Sequence, residues 1–285
     1  MHLWQEKSAR TKDQLTLRAE RCSALHFYKN TQQPAHASFP AGACFMEPEL
    51  WTTPQHILVI LAHPDDPEFF CGATLAKWAR AGHRITYLLL TCGDKGFNPT
   101  THPEMTPEQL CAIRHEEQYA AAKLIGADAV HILDHPDGYL VPDLKLRREV
   151  VREIRRHKPD ILVTCDPQNL FAAYGINHPD HRAAGQVVLD AVFPAAGNPV
   201  YFPELLEEGF QPHMPKEVWC SLTLQPNVTV DVTDMWDIKM QAILQHKTQV
   251  QDAEKLIERL KSRRAEDSTE ENPRYEEKFR VVKYG

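Results

Sequence analysis

Two short stretches hold most of the residues able to do chemistry. His63-Pro64-Asp65-Asp66 places an imidazole and two carboxylates within four residues. His178-Pro179-Asp180-His181 places two imidazoles and a carboxylate in the same space. Nitrogen and oxygen donors of these kinds suit a divalent transition metal. A catalytic zinc needs three protein ligands and one open position. The two stretches together offer enough donors for that, with residues left for acid and base work. Spacing alone leaves Asp65 and Asp66 interchangeable. Each stretch also has a plain reading, as an aspartate-capped turn or a helix N-cap. Those readings account for either stretch singly and poorly for the pair.

The elements around them decide whether the two halves can meet. Ile57 to Leu61 is five aliphatic residues in a row, which suits a strand buried on both faces. It ends abruptly at the first stretch. Glu68 to Ala81 has the make-up of a helix, with Gly82 as its stop. Arg84 to Thr91 is a second buried strand. Thr106, Pro107 and Gln109 mark a helix start with a capping box, and Gly126 marks its end. On that helix Leu110, Ile113, Ala121 and Leu124 share one face with Arg114 and Glu117. The charged pair is either an internal ion pair, or Arg114 points toward the site and Glu117 holds it. Ala129 to Leu133 is a third strand, followed by Asp137-Gly138, a plain turn or a substrate-pocket element. Leu144 to His157 is a helix, and Asp160 to Thr164 a fourth strand. Pro179 opens a helix that runs to about Val192.

Strands alternating with helices imply right-handed crossovers and an α/β, Rossmann-like, mostly parallel sheet flanked by helices. Ligands of such sheets bind past the carboxyl ends of the strands. Both stretches fall there. Further on, Glu217 to Leu224 and Val228 to Val232 read as strands joined by a turn. Asp234 to Lys247 and Asp252 to Arg264 read as helices, and Phe279 to Val282 as a short docking segment. The loops Cys92 to Pro107 and Ala195 to Pro215 are expected to shape the pocket mouth.

Composition bounds the rest. The chain has 285 residues, 42% hydrophobic and 25% charged, as in ordinary globular proteins. A net charge of −7 argues against a general nucleic-acid binder. No apolar run is long enough for a membrane span. The seven cysteines are scattered without a CxxC pair, which predicts reduced thiols and a cytoplasmic setting. Residues 1–45 carry six basic and three acidic residues, against an acidic surplus afterwards. They read as an N-terminal extension, with a short helix over Lys12 to Tyr28 and Met46 as the expected biological start. Residues 46–285 then form a single domain.

The pairing of AHPDD after the first strand with HPDHR downstream resembles the LmbE-like, or PIG-L, family of zinc-dependent N-acetylglucosaminyl deacetylases. Glu68, Gly72 before Thr74-Leu75-Ala76, the Arg114–Glu117 pair, Leu124-Ile125-Gly126 and His246 agree with it. The resemblance spans about Gln55 to Val250. It implies His63, Asp66 and His181 as Zn2+ ligands and Asp65 as general base. His178 matches the oxyanion stabiliser or acid, and Asp180 a residue that orients a catalytic histidine. Arg114, Asp137 and His246 are the expected substrate contacts. Two departures stand out. Ile176 replaces a tyrosine found in some members, with Tyr174 nearby but out of register. Gly72-Ala73 replaces the usual Gly-Gly.

The function this implies is hydrolysis of an acetamide on an N-acetyl sugar or sugar conjugate, a small-molecule partner. The alternatives are an amidase on a larger sugar–thiol or other conjugate, and a catalytically silent metal- or nucleotide-binding module. The first strand lacks a GxGxxG loop, which speaks against a dinucleotide. The substrate is not legible, and a homo-oligomer is admitted.

Overall fold

The architecture follows from β1 (His56–Leu61), which is buried at every position. A strand apolar on both faces needs cover on both faces. Ile57, Val59 and Leu61 pack into one core, and Leu58 and Ile60 into a second on the other side of the sheet. The structure is a computed structural model that describes residues 51–97, 100, 102–172 and 175–284. The expected helix over Lys12 to Tyr28, the start at Met46 and Tyr174 lie outside the described residues. Contacts divide the chain into two units, 1–42 and 43–285, and all described elements belong to the second.

The elements run α1 (Asp66–Arg80), β2 (Arg84–Thr91), α2 (Pro107–Ile125), β3 (Ala129–His135), α3 (Leu144–His157) and β4 (Ile161–Cys165). A small hairpin of β5 (Phe171–Ala172) and β6 (Gly175–Ile176) follows, then α4 (Pro179–Asp190) and α5 (Glu204–Glu207). The chain ends with β7 (Glu217–Ser221), β8 (Val228–Asp231), α6 (Trp236–Ile243), α7 (Ala253–Lys261) and β9 (Glu276–Lys283). The main sheet has the order β3-β2-β1-β4-β7-β9-β8. Its first five strands pair in parallel, and β9 runs antiparallel to both neighbours. The α/β, Rossmann-like reading therefore holds. The chain winds from β1 outward through β2 to β3, then returns to lay β4 on the other side of β1. The strand order reverses between β1 and β4, and a crevice opens at their carboxyl ends.

The start of α2 is as expected. Thr106 accepts from the Gln109 backbone, Gln109 answers with its side chain, and Gly126 closes the helix at φ 94°. The predicted phase of this helix was off by about one residue. Ile113 and Leu124 are exposed, and the buried stripe is Leu110, Arg114, Glu117, Gln118, Ala121, Ala122 and Ile125. Polar residues occupy the inward face because the site lies beneath it.

The C-terminal region departs most from expectation. β7 and β8 are not a hairpin, because β9 lies between them. The expected docking segment is thus a full eight-residue strand. Its Glu277 has a specific task. Helix α1 is kinked at Cys71 (φ −150°), which frees backbone groups from the helical ladder. The Glu277 carboxylate accepts from Ala73 N (3.2 Å) and Thr74 N (2.8 Å). Lys239 of α6 pairs with Glu277 at 2.6 Å and donates to the Phe69 carbonyl at 3.0 Å. All of this is buried, and removing one partner of a buried pair is costly. Glu277→Leu is expected to lower stability by about 3–5 kcal/mol in urea unfolding. A loss below about 1 kcal/mol, the scale of a surface pair, would contradict this role.

The cysteines also correct the sequence reading. Cys92 and Cys111 are bridged, with Cα atoms 5.2 Å apart, and so not all thiols are reduced. Cys71, Cys165 and Cys220 are free and buried. The bridge ties the loop after β2 to the second turn of α2. No helix among the described residues is long and apolar enough to cross a membrane.

Candidate metal centre

The two chemical stretches meet at the β1–β4 crevice. Asp66 begins α1, and its Oδ2 accepts from the backbone N–H groups of Ala62 (3.1 Å) and His63 (2.9 Å). Its Oδ1 lies 3.0 Å from His181 Nε2. His63 Nδ1 lies 3.3 Å from the same His181 nitrogen and 3.5 Å from Asp66 Oδ2.

The outer nitrogens fix the tautomers. His63 Nε2 lies 3.1 Å from Asp137 Oδ1 and 3.4 Å from Asp180 Oδ2. His181 Nδ1 lies 3.0 Å from Asn177 Oδ1. Each of these partners is an acceptor, so each outer nitrogen carries the proton in a neutral ring. The inner nitrogens are then bare. In those neutral tautomers two imidazole lone pairs and a carboxylate converge on one point. That arrangement is repulsive unless a cation occupies it, and carboxylate-buttressed imidazoles are the usual support of a bound metal. The residues present therefore fit a metal ion, with His63, Asp66 and His181 as donors. A donor atom of His178 also lies within 4.8 Å of those of His63 and His181.

The electrostatics agree. Burial disfavours charge on His63, but Asp137, Asp180 and Asp66 outweigh it and raise its pKa. Burial would raise Asp66, yet the charge and hydrogen bonds of His181 and His63 hold it far below the usual carboxylate range. The pocket is built to hold positive charge. Asp137 and Asp180 are also lowered, through their hydrogen bonds to His63 against the effect of burial.

Asp65 stands apart from this cluster. It has φ 90°, in the left-handed region, at the turn into α1. A non-glycine residue is strained there and persists only if its surroundings hold it. Two side chains of α2 do so. Gln118 Oε1 accepts the Asp65 N–H at 2.8 Å, and Arg114 Nη2 lies 3.2 Å from Asp65 Oδ2. Arg114 also donates to the carbonyls of Pro64 and Gly93. Burial raises the pKa of Asp65; Arg114 opposes this and Asp66 adds to it. Asp65 thus makes no contact of its own with the bare lone pairs.

His178 is the N-cap of α4, and its Nδ1 accepts the Asp180 N–H at 3.2 Å. Its proton therefore sits on Nε2. Burial, then the nearby His63 and His181, lower its pKa. The Nε2–H is the group left to donate. The histidine that the Asp180 carboxylate contacts is His63, and the carboxylate also accepts from the backbone of Gly138 (2.7 Å) and Leu140 (3.2 Å).

Of the expected substrate contacts, Arg114 and Asp137 line a cavity of about 720 Å³ that opens over the cluster. His246 does not. It is fully buried, and its Nε2 lies 3.2 Å from Glu68. Burial disfavours charge on His246, but Glu68 outweighs it and raises the pKa. Glu68 also accepts from Gln118, so His246, Glu68 and Gln118 form a chain that ends at the Asp65 backbone. Glu117 does not hold Arg114; it accepts from the Thr248 backbone and hydroxyl. The mouth is formed by Gly96 of the first expected loop, but by no described residue of 195–215. The β5–β6 hairpin, Leu222 to Leu224 and α7 form the rest.

Sequence reasoning missed Gln118 and Asn177. Both sit four residues from a recognised site residue on a helix or its cap, Arg114 and His181. The i,i+4 spacing that places side chains together was the available signal.

The PIG-L family model, described as GlcNAc-PI de-N-acetylase, matches residues 58–192. Diacetylchitobiose deacetylase of Thermococcus kodakarensis is 35% identical over 193 residues, covering 68% of this chain and 69% of that protein. The chain belongs to the PIG-L family. A probable N-acetyl-alpha-D-glucosaminyl L-malate deacetylase 2 of Bacillus anthracis is 26% identical over 58% of this chain and 74% of its own length. The solved structure of N,N'-diacetylchitobiose deacetylase from Pyrococcus horikoshii, complexed with its inhibitor MPG, superposes with a TM-score of 0.72. It is 28% identical and covers 80% of this chain and 84% of its own. This solved structure shares the mostly parallel sheet flanked by helices.

Proposed function

We propose that this chain is a zinc-dependent hydrolase that removes the acetyl group from an N-acetylglucosamine-type amide. The observation that carries the reading is the convergence of bare His63 Nδ1, bare His181 Nε2 and Asp66 at the floor of a cavity. Two imidazoles and a carboxylate with an open side suit zinc. Zinc held there would lower the pKa of a bound water toward about 7 and polarise the acetamide carbonyl.

The chain's own residues supply the proton traffic. Asp65, held by Gln118 and Arg114, is the base that takes the water's proton. It later passes that proton to the amide nitrogen as the C–N bond breaks, releasing acetate and the sugar amine. The Nε2–H of His178 is available to the oxyanion that develops on the carbonyl carbon's oxygen. Arg114 and Asp137 border the cavity where the sugar sits.

The test is acetate and amine release from a panel of N-acetylglucosamine, diacetylchitobiose and larger N-acetylglucosaminyl conjugates, with zinc content measured in the same preparation. Release from one or more members supports the reading. No release from any member, at one zinc per chain, overturns it.

A further inference from the structure

The cavity wall carries charges that the reaction above does not use. Arg259 and Arg263 both line the cavity over the metal cluster. They lie four residues apart in sequence, Arg259 in the last turn of α7 and Arg263 just past its end. Neither guanidinium has an ion pair or a side-chain hydrogen bond among the described residues. Like charges at this spacing destabilise a helix slightly. The helix dipole favours cations in a last turn but is indifferent to the face that bears them. Lys261 answers it from outside the cavity wall. Folding therefore gives no reason for both arginines to face the cavity.

The distribution of charge in the wall does give one. Among the described residues its only carboxylates, Asp65, Asp66 and Asp137, all belong to the metal cluster or its immediate support. Away from the cluster, the charged groups among the described residues are Arg259 and Arg263 alone. The cavity is thus polarised, with acids and metal donors at its floor and free guanidinium groups on another part of the wall. At about 720 Å³ it is in the upper part of the usual range for ligand sites, roughly 300–1,000 Å³. Arg259 also borders an adjoining groove of about 610 Å³, which extends the space past the first ring.

We propose that Arg259 and Arg263 form an anion subsite, which selects an N-acetylglucosaminyl conjugate bearing a carboxylate or phosphate on the group attached to the sugar. Guanidinium groups present paired N–H donors that match either anion. The assignment of the sugar rests on the deacetylase reading; the anion subsite does not, and it is measured separately.

Binding to the zinc-loaded protein is measured by calorimetry for three glycosides of N-acetylglucosamine: the 1-phosphate, the carboxymethyl glycoside and the neutral methyl glycoside. Acetate release is followed on the same three. The comparison is with Arg259→Gln, Arg263→Gln and the double variant. An anionic glycoside is expected to bind about a hundredfold tighter than the neutral one, a gap that narrows by roughly tenfold for each guanidinium removed. A gap for the phosphate alone, or for the carboxylate alone, supports the subsite and names its anion. Equal affinity for all three, no binding by any, or a gap unchanged in the double variant overturns it. Acetate release without a gap overturns the subsite but not the deacetylase. A gap without acetate release does the reverse. Both side chains are exposed, and the melting temperature of the variants checks that the fold is kept.

Discussion

Asp65→Asn is expected to keep its zinc and to lose acetate release by a factor of about 10²–10⁴, the range that general acid–base groups supply. The substitution is chosen for the backbone as much as for the side chain. Asp65 sits at φ 90°. Asparagine is among the few residues that tolerate the left-handed region, so the turn into α1 survives. The Gln118 contact is to the Asp65 backbone N–H and does not depend on the side chain. The amide oxygen of asparagine can still accept from Arg114. None of the bare lone pairs at the floor comes from Asp65, so the donor set stays whole. What goes is the ability to take a proton. The measurement is kcat on the best substrate of the panel, with zinc stoichiometry and melting temperature alongside. Activity within threefold of wild type, with zinc bound, would remove Asp65 from the base role. Asp65→Ala is a poorer test, because a drop there mixes lost chemistry with a turn that alanine supports less well.

The sequence carried the frame of this site well, for physical reasons that are easy to name. Five aliphatic residues, Ile57 to Leu61, suit a strand covered on both faces. The alternation that follows implies a parallel sheet with the two HPD stretches at the carboxyl ends of its strands. What it could not carry were contacts made by residues far apart in the chain and neutral in type. Gln118 is unremarkable as a letter; its importance comes from the left-handed backbone of Asp65, which no propensity signals. His246 was legible as a residue of interest but not as a buried partner of Glu68, because both lie 178 residues apart. In the sequence β9 reads only as a short docking segment, Phe279 to Val282. It in fact fills the gap between β7 and β8, and its glutamate compensates a kink in α1 that has no sequence mark. Nothing in the sequence sets Arg259 and Arg263 apart from the other charges of their helix. Only the cavity shows which way they point.

His181→Ala is expected to abolish stoichiometric zinc binding, and the reasoning separates it from its neighbours. His181 Nε2 lies 3.3 Å from His63 Nδ1 and 3.0 Å from Asp66 Oδ1, between the other two donors. Removing it leaves two protein donors, below the three that catalytic zinc sites use. Apparent affinity should fall by more than the 10–100-fold typical of losing an outer-shell partner. Asn177→Leu provides that comparison, since Asn177 holds only the far nitrogen of the same ring. It should fall inside the 10–100-fold range. His178→Ala should keep zinc, because the Nδ1 of His178 is taken by the Asp180 N–H and its Nε2 carries the proton. The readout is zinc retained after dialysis against a graded chelator, for all three variants beside wild type. Full stoichiometry in His181→Ala would contradict the ligand assignment. Loss of zinc in His178→Ala with retention in His181→Ala would move the site onto the cluster of His63, Asp137, His178 and Asp180, whose donor atoms also lie within 4.8 Å of one another. The order expected here is His181→Ala weakest, Asn177→Leu intermediate and His178→Ala near wild type, because it follows from which nitrogens are bare.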